Sequence, residues 1–256
     1  MSPAALTACV LPVLLVGARA GGLMTFAPFF SHAAVSWRLK AALTVALTAV
    51  LAPLHFAAMP GVEAGAAALM LGREAMFGLM TGLIFQLVFD GMGLAGEIIG
   101  FQMGFSLAKL IDPNSPVDTP VVGVLHDMLA LLIFIQLGVF RWILRALSAS
   151  FTLVPLGRFD VTWVMAHGMM RLANVMWVVG VQIAAPVLLA TMLTDWAMNF
   201  LAKASPQFPA LFVGMSIKSL MGFALLAVTV AYWPRYLSGY FQQALLATSA
   251  LMTHAH

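Results

Sequence analysis

Residues Gly96–Pro120 read GEIIGFQMGFSLAKLIDPNSPVDTP, an apolar half followed by a polar half that is interrupted by proline. Its first half has the composition of an apolar helix, with Gly96, Gly100 and Gly104 spaced four residues apart. Residues four apart share one face of a helix, and glycine removes the side chains from that face. Because membrane helices approach each other closely at such small residues, the pattern predicts a helix packed tightly against a neighbour.

The second half of the stretch is a polar segment interrupted by proline. Pro113, Pro116 and Pro120 fix φ and lack N–H donors, so regular structure should end before them. The preceding residues Phe105–Ile111 are mostly apolar, whereas Asp112–Pro116 has the composition of a turn. Composition leaves two interpretations open: a plain connection between helices, or an apolar plug lying across a cavity.

The overall composition indicates an integral membrane protein. Of 256 residues, 62% are hydrophobic and only 8% are charged, whereas about a quarter of the residues in soluble domains are charged. The 12 basic residues are scattered singly, which argues against a nucleic-acid-binding patch. No basic residue precedes the first apolar stretch, so we expect that stretch to be retained rather than cleaved as a signal. We expect a single membrane-embedded domain over residues 1–256.

Crossing a bilayer takes about 20 apolar residues, and six segments are candidates. A shorter glycine-rich segment, Ala95–Leu110, follows the third of them, and Tyr236–Met252 has the two-sided pattern of an amphipathic helix. The predicted fold is therefore all-α, with about six long apolar helices, a half-length glycine-rich helix and a C-terminal amphipathic helix. The basic loop residues are too evenly divided to set the orientation. The six candidate segments are Leu6–Phe30, Leu39–Met59, Leu69–Leu94, Leu125–Phe140, Met169–Leu193 and Phe212–Trp233.

Five charged residues fall inside or at the ends of apolar segments: Arg19, Glu74, Asp90, Asp127 and Lys218. Each costs a few kcal/mol at the membrane centre unless it is paired or reaches water. An ion or proton pathway is one interpretation, but no segment offers the acidic cluster of a proton relay. We favour pairing with each other or with other subunits, and treat Arg19, Glu74, Asp90 and Lys218 as assembly charges.

The sequence contains fragments of enzyme motifs, and none is complete. A GxGxxG pattern spans Gly91–Gly96, but a dinucleotide site needs a preceding strand and a βαβ unit. Ser106–Lys109 matches SxxK without the companion motifs of serine acyl-enzymes. His254 and His256 lack further ligands for a metal. We expect no catalytic residue, no metal site and no cofactor.

A series of short motifs runs through nearly the whole chain. These motifs are Arg19–Phe30, Arg73–Gly82, Ala95–Ser106 with Asp112-Pro113, Ser150-Phe151, Pro155–Gly157, Ala185-Pro186, Thr194-Asp195, and Pro206-Gln207 followed by Gly214 and Lys218. Their content and order resemble the FliR family, the R subunit of the flagellar type III secretion export gate. The Gly-Phe-Gln-Met-Gly sequence at 100–104 looks flagellar, since injectisome homologues usually carry an acidic residue and an arginine there.

The resemblance implies a core structural and gating subunit of a protein export channel in the bacterial inner membrane, at the flagellar basal body. Its helices would form bent hairpins in a hetero-oligomer with FliP-like and FliQ-like subunits. FlhB-like and FlhA-like export proteins would be further partners, and unfolded flagellar proteins would be the cargo. In the family, the segment corresponding to Phe105–Asp118 projects into the pore. The residues assigned to this plug are Phe105, Ser106, Leu107, Leu110, Ile111, Asp112, Pro113, Asn114 and Pro116.

The alternative from another functional class is a stand-alone transporter or channel for a small solute. It would use Asp90, Glu74 or Lys218 as a coupling or binding charge. Transporter folds often consist of two related halves, and the sequence shows no such repeat. A transporter should be stable without companions, whereas an export-gate subunit should need its partners.

Overall fold

The computed structural model describes residues 3–28, 30, 35–55, 62–105, 121–160, 163–205, 207 and 209–253. Within this part of the chain nearly every residue is helical and no β-strand occurs, so the predicted all-α class is confirmed. A single 3₁₀ turn, Val230–Tyr232, joins the last two helices. The α-helices among the described residues are α1 (Pro3–Phe26), α2 (Trp37–Leu51), α3 (Ala64–Gln102), α4 (Val121–Leu137), α5 (Val139–Leu153), α6 (Trp163–Ala204), α7 (Ala210–Thr229) and α8 (Trp233–Thr253).

The predicted count of about six long apolar helices is not confirmed. Three stretches of the described chain are long and apolar enough to cross a membrane: Ala64–Gln102, His167–Ala204 and Phe212–Ala250. A fourth crossing is possible if α4 and α5 count as one, although they meet at a bend of 64°. The bend lies at Gly138, whose φ of 63° ends one helix and begins the next. The predicted first and second spans correspond to α1 and α2, but neither is among the three long stretches.

The glycine-rich segment is not a separate half-length helix. Residues 95–102 continue α3 without a break, so the predicted third span and the start of the glycine-rich segment form one helix of 39 residues. An apolar helix satisfies its backbone hydrogen bonds internally, and glycine does not interrupt them. The contour length of α3 is about 58 Å at 1.5 Å per residue, nearly twice the thickness of the bilayer hydrocarbon.

Helix α5 is not among the predicted helices, because the fourth candidate segment ends at Phe140 and the sequence after it carries Arg141 and Arg145. Its apolar positions recur at helical spacing and are buried at Val139, Ile143 and Leu147, while both arginines are exposed. An amphipathic helix of 15 residues is too short and too polar to be recognised as a membrane span.

The C-terminal helix α8 has the two-sided pattern that the sequence predicts. Leu237, Phe241 and Ala244 are buried, whereas Gln242 and Gln243 are exposed. This helix therefore covers apolar surface with one face only.

The chain divides into two compact units, each with its own buried core. The first unit comprises Met1–Leu87, Gly138–Ala173 and Phe241–His256, and the second comprises Val88–Leu137 and Asn174–Tyr240. The core of the first unit contains Phe77, Val154, Phe159, Met165 and Met252, with Met80 packed against it. In the second unit the buried side chains include Met92, Ala95 and Ile99 on α3, Met103 directly after it, and Val179, Ile183 and Val187 on α6.

Candidate functional site

Two polar clusters of the structure involve residues that the sequence singled out, and the first surrounds Arg19 in the first unit. Arg19 on α1 and Glu74 on α3 are both fully buried, and the Arg19 Nε–H donates to Glu74 Oε2 at 2.5 Å. A buried charge of either sign is costly unless it is paired and hydrogen-bonded. The ion pair therefore joins α1 to α3 by neutralising both charges where water does not reach.

The remaining hydrogen-bonding groups of this pair are satisfied by residues far along the chain. Arg19 Nη1 donates to Ser150 Oγ on α5 at 3.1 Å, and Nη2 donates to the carbonyl oxygen of Val154 at 3.1 Å. The second oxygen of Glu74 accepts from the backbone N–H of Gly157 at 2.9 Å. The pair thus holds α1, α3, α5 and the turn after α5 together.

Two aromatic rings complete the surroundings of the Arg19 guanidinium. Its Cζ atom lies 4.8 Å from the ring centroid of Phe77 and 4.6 Å from that of Phe151. Contacts of this kind with ring faces add a favourable cation–π term when the cation is desolvated. Because the protein itself supplies all of these partners of Arg19 and Glu74, we interpret the cluster as a structural contact that joins helices.

A close helix–helix contact lies next to this ion pair, between α1 and α3. A Cβ atom added to Gly78 would lie 2.8 Å from the backbone nitrogen of Leu23 and closer still to the carbonyl oxygen of Arg19. A Cβ atom on Gly22 or Gly82 would likewise collide with the backbone of the opposite helix. Sequence reasoning missed this contact, although Gly78 and Gly82 show the four-residue spacing that predicts it.

The three glycines that were predicted to share one helix face have different positions. Gly96 lies on α3 in close contact with α4, since an added Cβ would be 2.9 Å from the Cα atom of Gly123. Gly100 is buried near the end of α3. Gly104 lies beyond the helix and has a φ of 89°, so it does not continue the face, because α3 ends at Gln102 rather than at Leu110.

Gly104 instead forms the C-terminal cap of α3. Its N–H donates to the carbonyl oxygen of Phe101 at 3.1 Å, and the N–H of Phe105 donates to that of Gly100 at 3.0 Å. This pair of hydrogen bonds is the Schellman motif, which needs a left-handed residue and therefore favours glycine. The motif ends the helix immediately before the segment that was predicted to be a plug.

The second polar cluster lies at this end of α3, in the second unit. Lys218 Nζ on α7 is 2.7 Å from Asp195 Oδ1 on α6. The other oxygen of Asp195 accepts from Gln102 Nε2, in the last turn of α3, at 3.2 Å. One carboxylate therefore connects three helices. Lys218 was predicted as a paired charge, whereas Asp195 and Gln102 were noticed only as parts of family motifs.

Helix α7 makes further contacts with the same end of α3. The Ser219 hydroxyl donates to the carbonyl oxygen of Met103 at 3.3 Å, which is one of the acceptors left over at a helix C-terminus. A side chain at Gly222 would meet the sulfur of Met103 at 2.6 Å. Phe223 contacts Phe105 edge-to-face, with ring centroids 5.9 Å apart. We call this set the α3 anchor: Gln102, Met103 and Phe105 with Asp195, Lys218, Ser219, Gly222 and Phe223.

Most of the predicted plug falls outside the described residues. Phe105 is described, as a partly exposed member of the α3 anchor. Asp90 lies half-buried on α3 and is not an isolated charge. Among the described residues there is no group of three or more His, Cys, Asp or Glu side chains suited to hold a metal ion. The predicted residues outside the described part are Ser106, Leu107, Leu110, Ile111, Asp112, Pro113, Asn114 and Pro116.

Comparison with known proteins gives consistent matches over most of the chain. Residues 10–244 match the family described as bacterial export proteins, family 1. The flagellar biosynthetic protein FliR of Escherichia coli strain K12 is 28% identical over 209 residues, covering 82% of this chain and 80% of that protein. The FliR protein of Bacillus subtilis strain 168 is 28% identical over 225 residues, covering 85% of each chain.

A third relative extends the match to a further bacterium. The FliR protein of Caulobacter vibrioides is 26% identical over 221 residues, covering 85% of this chain and 87% of that protein. The resemblance inferred from the short motifs is therefore confirmed by independent comparison. Because the family match spans residues 10–244, the chain belongs to the bacterial export proteins, family 1.

Proposed function

We propose that this protein is a non-enzymatic core subunit of the flagellar type III protein export gate. The observation that carries the proposal is the match to bacterial export proteins over residues 10–244, together with relatives named as flagellar biosynthetic proteins. The long apolar stretches on α3, α6 and α7–α8 support a position in a membrane. In this proposal the membrane is the bacterial inner membrane at the flagellar basal body.

The proposed gate is a hetero-oligomer in which this chain joins FliP-like and FliQ-like subunits and lines part of a pore. FlhB-like and FlhA-like proteins would deliver unfolded flagellar proteins to it. Exposed apolar side chains support a requirement for partner subunits or lipid, because an apolar stretch within Phe212–Ala250 is only 17% buried within the chain. Large exposed apolar surfaces mark sites of protein or membrane contact.

The segment Phe105–Asp118 is the proposed plug of the resting pore. Two observations support this role: the preceding helix ends at a Schellman motif, and the α3 anchor holds that end against α6 and α7. The apolar residues Leu107, Leu110 and Ile111 would close the pore by contact, and the three prolines would keep the segment from extending the helix.

Deletion of residues 106–116 tests this proposal. In cells that express the complete gate, the deletion should let ions leak through the assembled complex, measured as membrane depolarisation or as conductance in planar bilayers. Replacing Leu107, Leu110 and Ile111 by serine should give a smaller leak, because the length of the segment is kept while apolar contact is lost. Co-purification of the subunits is the control for assembly. A complex that assembles with the deletion and still holds back ions would refute the plug.

A further inference from the structure

We propose that one exposed face of α6 binds a phospholipid with an anionic headgroup. In this proposal an acyl chain lies along Leu189, Leu193, Trp196 and Phe200, and the headgroup lies beside Lys203. The site consists only of α6 residues in the second unit. It goes beyond the proposed function, because a lipid site on this face does not depend on whether the protein gates a pore.

The length and exposure of this face are the first argument. Leu189, Leu193, Trp196 and Phe200 follow each other at alternating intervals of four and three residues, so they share one face of the helix. Each of these side chains is at least 65% exposed. The rise from Leu189 to Phe200 is about 16 Å at 1.5 Å per residue, and one leaflet of the bilayer hydrocarbon is about 15 Å thick. The apolar face therefore has the length of one acyl-chain layer.

The size of these side chains favours lipid over a neighbouring helix as the occupant. Membrane helices approach each other through small residues, and this chain does so at Gly78 and Gly96, where an added Cβ would collide with an opposite helix. The four positions of the α6 face instead hold two leucines and two large aromatic rings. Flexible acyl chains can fill the spaces between such projecting side chains, whereas a rigid helix cannot approach the backbone there.

The polar end of the face is the second argument. A surface cavity of about 330 Å³ is lined by Trp196, Asn199, Phe200 and Lys203, and this volume lies within the range of small-ligand sites. The Asn199 amide and the Trp196 indole N–H are hydrogen-bond donors, and Lys203 is a cation. Tryptophan and lysine side chains commonly lie at the boundary between hydrocarbon and headgroups. The cavity thus offers donors and a positive charge where the apolar face ends.

The charge of Lys203 is the third argument, because the protein does not neutralise it. Asp195 is the only acidic residue in the sequence of α6, and its two oxygens already bind Lys218 at 2.7 Å and Gln102 at 3.2 Å. Across the described part of the chain, no carboxylate forms an ion pair with Lys203. A phosphate is a strong acceptor for an ammonium group. Net charge then favours an anionic lipid, since a zwitterionic headgroup also brings a cation close to Lys203.

The test measures lipid contact at Trp196 in the protein purified with its native companions and reconstituted into phosphatidylcholine vesicles. A minor fraction of the lipid is replaced by phosphatidylglycerol with brominated acyl chains, or by equally brominated phosphatidylcholine. Bromine quenches tryptophan fluorescence on contact, and the difference between the wild type and Trp196→Phe isolates the signal of Trp196. We expect the anionic lipid to associate about fivefold more strongly, the ratio that one lysine near an anionic headgroup supplies.

Three variants separate the charge from the apolar contact, and a fourth is the control. Lys203→Gln should abolish the preference for the anionic lipid, whereas Lys203→Arg should keep it. Leu193→Ala should lower quenching by both lipids to a similar extent, because it reduces the apolar contact and leaves the charge in place. The matched control is Lys40→Gln, which removes a lysine in the first turn of α2 and should leave the preference unchanged. Co-purification of the subunits shows that each variant assembles.

Several results would overturn the lipid site. Equal quenching by both lipids in the wild type would indicate ordinary lipid contact, and no quenching by either would indicate that a partner subunit covers this face. A preference that survives Lys203→Gln, or that Lys40→Gln removes as fully, would not come from this cavity. If Lys203→Gln fails to assemble, the wild-type comparison of the two lipids still decides. Deletion of residues 106–116 tests the gating function separately, so either proposal can fail while the other stands.

Discussion

At the scale of single residues, Arg19 illustrates how this chain carries charge in an apolar environment. Its guanidinium has a carboxylate, a hydroxyl and a carbonyl oxygen as partners, and it contacts two phenylalanine rings. Removing one member of a buried ion pair is far more costly than removing both, because the remaining charge is left without compensation. This asymmetry makes the structural role of Arg19 testable.

Arg19→Met should destabilise the protein by about 3–5 kcal/mol, since it leaves the buried Glu74 carboxylate without its cation. The double variant Arg19→Met with Glu74→Gln should be less destabilised than Arg19→Met. Thermal unfolding of the purified complex in detergent measures both. The control is Arg73→Met, which removes one member of an exposed pair and should change stability by less than about 1 kcal/mol. Equal unfolding temperatures for Arg19→Met and the wild type would show that this ion pair does not hold the helices together.

Gly78→Ala should destabilise the first unit by about 1–3 kcal/mol, the usual cost of overpacking, because the new methyl group meets the backbone of α1 at Arg19 and Leu23. Gly72→Ala is the matched control on the same helix, where an added Cβ meets nothing within 4 Å. That control should be neutral or stabilising by up to about 1 kcal/mol, since alanine favours helix over glycine. Equal unfolding temperatures for the two variants would count against the close contact of α1 and α3.

At the scale of the helices, the end of α3 is the feature that gives the polar segment a defined starting point. Helix propensity alone would let an apolar helix continue through Leu107, since no proline occurs before Pro113. The left-handed Gly104 and the contacts of the α3 anchor stop it at Gln102 instead. The termination of α3 is thus a joint product of one local backbone conformation and of contacts from α6 and α7.

Gly104→Ala should weaken this helix end by about 1–2 kcal/mol, the cost of a left-handed conformation for a residue with a Cβ atom. The Gly104 and Phe105 amides, which donate the two capping hydrogen bonds, should then exchange their hydrogens about tenfold faster. Gly104→Asn should have a smaller effect, because asparagine tolerates this conformation better. Unchanged exchange in the alanine variant would show that the cap does not limit opening there.

At the scale of the whole molecule, the described chain leaves many large apolar side chains exposed. The apolar stretch within His167–Ala204 is 33% buried, and that within Phe212–Ala250 is 17% buried. Lipid can cover such surface, and so can neighbouring subunits. Exposed tryptophan and phenylalanine side chains on α6, such as Trp177, Trp196 and Phe200, belong to this surface.

Purification tests which of these environments the protein requires. Extracted in mild detergent from native membranes, the chain should co-purify with FliP-like and FliQ-like subunits, identified by mass spectrometry. Expressed without them, it should aggregate or be degraded, because the apolar contact surface stays uncovered. A stable, monodisperse protein that moves a small solute after reconstitution would instead favour the stand-alone transporter.

Much of the fold follows from short windows of the sequence. The apolar composition and helical spacing of segments such as Leu69–Leu94 predict membrane helices, and the pattern of Tyr236–Met252 predicts the two-sided α8. Helix α5 and the continuity of α3 escaped prediction, because short amphipathic helices and glycine-containing helices have weak local signals. The family resemblance also followed from the sequence, since it depends on the order of motifs rather than on contacts.

The partners of the charges were decided by tertiary structure. Arg19 pairs with Glu74, 55 residues away in the sequence, and with Ser150, 131 residues away. Gln102 bonds to Asp195, which is 93 residues away. Sequence reasoning could state that a charge in an apolar segment needs a partner, because the cost of burying it is a property of that residue alone. It could not state which partner, because that choice depends on which helices become neighbours, and contacts between distant positions leave no periodic pattern along the chain.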